Sequence, residues 1–191
     1  MEERKKKQTV NTEEALNGSV SRIKQQRIAV VRAKQERTGI LYSDIRKLQS
    51  PEDAVAAFGS LFENAGVEYL LAVALTQSGE PVALQVVGIG AVNSCQVAVA
   101  EIMKFALLSN CPGVLLLHNH PSGNVLPSKE DEKTTLRVKD AGSLLGIDLV
   151  DHVIVGEPGT GYSIEGKRFI QAEKRQDDRE GQKPIIRKKG A

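Results

Sequence analysis

Residues 114–131 read VLLLHNHPSGNVLPSKED. The opening Val-Leu-Leu-Leu, set off by Pro112-Gly113, is a short continuous apolar run of the kind that forms a strand buried on both faces. His118 and His120 stand where that run would leave the sheet, and they are two of only three histidines in the chain. Alternate residues of a strand point to one face, so both imidazoles can converge at the C-terminal edge, where α/β folds commonly place ligands. The loop 119–127 carries Pro121, Gly123 and Pro127, and Ser128 then caps a helix that runs to about Leu145 and stops at Gly146. Asp131 falls in the first turn of that helix, giving His-x-His-x7-Ser-x2-Asp. Two neutral imidazoles and one carboxylate make a three-ligand zinc site with a position left for water. Ser128 to Asp131 also reads as a capping box, a far commoner device than a metal site. The adjacent His pair tips the balance: imidazoles aimed at a helix N-terminus, whose dipole repels a cation, need a carboxylate beside them to hold an ion.

Working outward, Ser50-Pro51-Glu52-Asp53 is a helix start with Ser as N-cap and Pro at N1. The helix that follows places Val55, Phe58, Leu61 and Phe62 on one face and is expected to end at Gly66. Two apolar runs, residues 67–76 and 81–87, flank Gln77-Ser78-Gly79-Glu80 and read as a β-hairpin. A helix is expected over roughly 96–109, and a strand over 147–155. A turn at 157–161 leads to a short strand at 162–164. Helix, hairpin, helix, strand, helix, strand describes an α/β domain, a mixed β-sheet flanked by helices.

The 191 residues are 40% apolar and 26% charged, as in a soluble globular protein. Aromatics are 4% with no Trp, which disfavours a base-stacking RNA platform. No apolar stretch is long enough to span a bilayer, and the basic start MEERKKKQTV leads into no apolar signal core. No membrane association is therefore expected. Cys95 and Cys111 lack a C-x-x-C spacing, which points to a reduced, cytoplasmic setting.

Charge is segregated. Residues 1–38 hold 10 Lys and Arg against 5 Glu, and residues 167–191 hold 9 against 4 acidic residues, while the segment between is acidic. The expected organisation is a basic, Gln-rich extension over 1–38, a globular domain over 39–170, and a charged tail over 171–191. Residues 11–37 would form at most a weakly amphipathic helix needing a partner surface. Such arms either draw in DNA through counterion release or simply keep the ends solvated.

His118-Asn119-His120-Pro121-Ser122-Gly123, with Pro127-Ser128 and Asp131, resembles the JAMM (MPN-plus) zinc metallohydrolase signature in the form carried by RadC-family proteins. The resemblance covers about residues 50–166, including Gly88-Ile89-Gly90 with Ser94 and Asp151-His152-Val153-Ile154-Val155-Gly156. It implies a cytidine-deaminase-like JAB/MPN fold, one zinc per chain held by His118, His120 and Asp131, and a metal-activated water that attacks the amide carbonyl of a protein or peptide substrate. It further implies that Glu68, the single charge opening an apolar strand, is the general base. Ser128 would donate a hydrogen bond to the oxyanion. His152 is expected to be structural or to support a ligand, since a fourth protein ligand would close the site to water. Longer RadC-type chains resemble this one only after a helix-hairpin-helix segment, where this sequence has the short basic stretch. Two other readings stay open: a DNA-associated module, related to repair or mobile elements, with a structural metal site, and a metal-dependent nuclease or deaminase. The lack of a Cys-pair ligand set counts against the deaminase version.

Overall fold

A computed structural model describes residues 29–41, 43–90, 95–172 and 187–188. The fold below is that of the compact unit from Ala33 onward. Strand β1 (Gly39–Ile40) pairs antiparallel with β8 (Arg187–Lys188) in a small separate ladder. Helix α1 (Pro51–Phe58) opens with the expected cap. The Ser50 side chain accepts from the Asp53 amide, and the Asp53 carboxylate accepts from the Ser50 amide.

Strands β2 (Tyr69–Leu75) and β3 (Pro81–Ile89) form the expected hairpin. Helix α2 (Cys95–Ser109), strand β4 (Gly113–Asn119), helix α3 (Lys129–Leu145) and strand β5 (Asp148–Val155) follow, and β6 (Thr160–Ser163) and β7 (Arg168–Gln171) complete the sheet. The six strands lie in the order β3-β2-β4-β5-β6-β7. Only β4 and β5 run parallel, so α3 is the crossover that their parallel pairing requires. The mixed α/β architecture is the one expected.

Strand parity decides what reaches the site. Leu71, Val73, Leu75, Leu115, Leu117, Val153 and Val155 face α1. Leu70, Ala72, Ala74, Val114 and Leu116 face α2 and α3. By the same alternation His118 on β4 and His152 on β5 project toward α3. Every residue of β4 is buried, as a central strand covered on both sides must be. From α3 the stripe Asp131, Thr135, Val138 and Gly142 turns inward at helical spacing. Gly142 permits the tight return into β5, because a Cβ there would lie 2.2 Å from the Ile147 carbonyl oxygen. Gly146, at φ 69°, ends the helix as expected.

Three expectations need correction. The first helix does not run on toward Gly66. It stops at Phe58, and Gly59–Phe62 tightens into a 3-10 turn that still buries Phe62. The reversal comes at Asn64, with φ 61°, and bonds from the Glu63 and Ala65 amides to the Ser60 and Phe62 carbonyls close the turn. Strand β7 was not anticipated, since only Ile170 of its four residues is buried and its pattern resembles that of a solvated tail. It carries the sheet to Gln171, one residue past the expected domain boundary. Of the stretch read as a weak helix, residues 29–37 form none, and the part within 1–28 lies outside the described residues. So do Ser94 and most of the expected charged tail. Among the described residues no helix is long and apolar enough to cross a membrane.

Candidate metal centre

His118, the penultimate residue of β4, lies deep in the protein, 1% exposed, and its Nε2 stands 3.0 Å from His120 Nε2. Asp131 Oδ1 lies 3.2 Å from the first nitrogen and Oδ2 lies 3.3 Å from the second. The Glu68 carboxylate completes the group, with all four ligand atoms within 4.8 Å of one another. His120 lies one residue beyond the end of β4, so strand alternation alone does not aim it. The loop does: its Nδ1 is 2.6 Å from the Asn124 carbonyl oxygen, which orients the ring.

The hydrogen-bond partners constrain the protons. With its proton on the Asp131 carbonyl, 2.7 Å away, the Thr135 hydroxyl accepts from His152 Nδ1, also at 2.7 Å. His152 is 1% exposed, and burial is the largest cause holding its imidazole well below the ordinary range, so the ring is neutral. Its Nε2 therefore accepts, and His118 Nδ1, 2.9 Å away, is the donor. In a neutral ring that arrangement turns the His118 Nε2 lone pair toward the cluster. His120 Nδ1 donates to a carbonyl, which in the neutral ring turns its Nε2 lone pair the same way. Two lone pairs facing each other beside a carboxylate repel unless a cation lies among them. Burial pushes the Asp131 carboxyl up; positive charge at the His118 position, on the ring or on an ion beside it, together with the bonds from Ser128, holds the group well below the usual carboxylate range.

The donor set fits a divalent ion of zinc type. Bonds of about 2.0–2.1 Å at tetrahedral angles separate ligand atoms by roughly 3.3 Å, close to the 3.0–3.3 Å spacings seen here. Ser128 is also at the centre, but its hydroxyl is occupied. It donates to Asp131 Oδ2 at 2.6 Å and accepts from the Asp131 amide at 3.2 Å. The expected capping box is therefore present, and its Asp131 is also a member of the candidate metal cluster.

Sequence reasoning missed two residues. Asn119, between the two histidines, accepts from the Tyr69 amide at 2.9 Å and donates to the Val67 carbonyl at 3.1 Å, clamping the backbone on both sides of Glu68. The signal was its place beside the His pair at a strand end. Thr135 could have been found as the residue one helical turn after Asp131. Replacing Asn119 with Ala removes two part-buried bonds to the backbone and is expected to cost about 1–3 kcal/mol, measurable as a lower urea midpoint. His152 supports His118 rather than joining the cluster, as the open-site argument requires. Asp151 stays outside it too. Burial pushes its carboxyl up, against bonds from the Ser163 hydroxyl and the Glu165 and His152 amides. Cys111 packs in the core on the α2 and α3 side.

A cleft of about 390 Å³ borders the centre, lined in part by Phe62, Asn64, Asn119, His120, Val155 and Glu157.

A mixed sheet that brings two histidines, an aspartate and a glutamate together at one edge defines a JAB-type domain with a candidate metal site. The chain belongs to the RadC-like JAB domain family, whose model matches residues 48–169. It is 35% identical over 124 residues to a UPF0758 protein of Caldanaerobacter subterraneus subsp. tengcongensis, covering 65% of this chain and 53% of the relative. A UPF0758 protein of Methanosarcina acetivorans is 35% identical over 126 residues, 66% of this chain and 55% of its own length. One from Staphylococcus haemolyticus is 35% identical over 123 residues, 64% and 54%. The chain spans about half the length of the curated relatives it matches.

Proposed function

We propose that the protein is a zinc-dependent metallohydrolase that cleaves amide bonds, peptide or isopeptide, with a metal-activated water. The observation that supports this reading is the convergence of two imidazole nitrogens and a carboxylate at 3.0–3.3 Å, with the Glu68 carboxylate beside them. His118 and His120 would hold the ion through Nε2, and Asp131 through its carboxylate. A bound zinc ion supplies Lewis acidity and lowers the pKa of water toward neutrality.

The remaining steps belong to the chain. A substrate in the cleft beside His120 presents its carbonyl to the centre. Glu68 takes a proton from the attacking water as the new C–O bond forms, and then delivers it to the amine as the C–N bond breaks. For the oxyanion role, the Ser128 hydroxyl turns from Asp131 Oδ2 to the oxygen on which charge develops. In the resting arrangement the same hydroxyl orients the Asp131 carboxylate.

The test is elemental analysis of the purified chain, followed by a screen of peptide and isopeptide substrates with and without chelator. One zinc per chain and hydrolysis that chelator removes and zinc restores are expected. Metal well below one per chain, or cleavage indifferent to chelation, would overturn the reading. The charge segregation supports a second role for the basic arms, contact with DNA. Its mark is affinity that falls steeply with salt, is lost on deleting the arms, and ignores His120→Ala.

A further inference from the structure

The centre's least expected feature is the partner of His118. A ligating histidine usually gives its second N–H to a carboxylate, a backbone carbonyl or water. Here His118 gives it to another imidazole, at 2.9 Å, in a position that solvent does not reach. An imidazole is an ambiguous partner, because either of its nitrogens can carry the proton. With the proton on Nε2, His152 would donate to His118 Nδ1 and force the His118 proton onto Nε2, into the middle of the cluster. Something must exclude that form.

We infer that Thr135 excludes it, acting as a positioning residue that fixes the His152 tautomer and thereby presents the His118 lone pair to the metal. This rests on the reading of the four-residue cluster as a metal site. The Thr135 hydroxyl has one proton, and the Asp131 carbonyl at 2.7 Å can only accept it. With the proton placed there, His152 Nδ1, 2.7 Å from the same oxygen, is the donor. The proton order then runs from Thr135 through His152 to His118. Thr135 is 2% exposed and no bulk water competes for the hydroxyl. One element thus serves the site twice. Helix α3 supplies Asp131 directly and, one turn later, sets the proton of a ligand on β4 through a histidine on β5.

The experiment reads tautomers and affinity rather than turnover. Long-range proton–nitrogen NMR on the metal-free native chain at pH 8 is expected to show His152 protonated on Nδ1. In Thr135→Val the hydroxyl is gone, and His152 is expected to shift its proton to Nε2. Zinc affinity, measured by competition with a chromophoric chelator, should fall by roughly 10–100-fold in Thr135→Val. Thr135→Ser keeps the hydroxyl and should restore both readouts to near native values. The native tautomer measurement does not depend on any variant folding. A native His152 protonated on Nε2, or a folded Thr135→Val chain with native zinc affinity, overturns the inference. So does a serine variant as weak as the valine one. A native chain that binds no zinc overturns the metal reading and this inference together. Native zinc binding with an indifferent valine variant overturns this inference alone.

Discussion

Purified His120→Ala is expected to carry no stoichiometric zinc while keeping its fold. The magnitude follows from the ligand count. Zinc sites in small domains are worth about 10–16 kcal/mol spread over four ligands, or roughly 2.5–4 kcal/mol each, so losing one weakens binding by about two to three orders of magnitude. The fold should survive because the His120 side chain is 17% exposed and sits past the end of β4. What the fold loses outside the cluster is the bond to the Asn124 carbonyl, worth about 1 kcal/mol. His118→Ala would be a poor probe by comparison. It opens a cavity in the core and orphans buried His152, so lost metal and lost structure would be confounded. The measurement pairs elemental analysis with melting in the presence of added zinc. At a free concentration a thousand times the native dissociation constant, zinc should stabilise the native chain by about 4 kcal/mol and the variant far less. Retention of one zinc per variant chain would mean that His120 is not a ligand.

The contrast between His120 and His118 also explains how much of the site was readable beforehand. The buried run of β4, the cap at Ser128 and the stop at Gly146 each have a local cause, so the elements carrying His118 and Asp131 follow from sequence pattern. Convergence at a strand edge is nearly local as well, because β4 and α3 are joined by one loop. Glu68 is different. Its place depends on β2 lying beside β4, a pairing between residues some fifty positions apart that no window of sequence encodes, and only the family resemblance pointed to it. Asn119 and Thr135 act through bonds to partners on other elements, or through another side chain, and their residue types are ordinary in strands and helices. The early end of α1 and the existence of β7 were hidden for the same reason. Each is decided by tertiary packing, in one case around Phe62 and in the other around Ile170. Ser128 shows the converse: cap and site partner looked like rival readings, yet one hydroxyl satisfies the helix end and the Asp131 carboxylate together.

Glu68→Gln separates the two tasks the cluster could assign to its fourth member. A carboxylate acting as general base must accept a proton, and an amide of the same shape cannot. Loss of a positioned base typically costs 10²–10⁴-fold, so turnover of an amide substrate is expected to fall by about that factor. Zinc content should stay near one per chain, because His118, His120 and Asp131 supply the three ligands of an open site. The substitution leaves the surrounding frame intact. Asn119 holds the backbone at Val67 and Tyr69, and the Gly90 amide bonds the Glu68 carbonyl at 2.8 Å, none of which involves the side chain. If zinc leaves together with activity, Glu68 is a ligand and the site is closed by four protein groups, which is the geometry of a structural centre. If zinc stays and turnover survives, the proton is handled elsewhere, and Ser128 and bulk water become the groups to test. The combination of retained metal and lost turnover is the only one that makes Glu68 the base, so both quantities must be read on the same preparation.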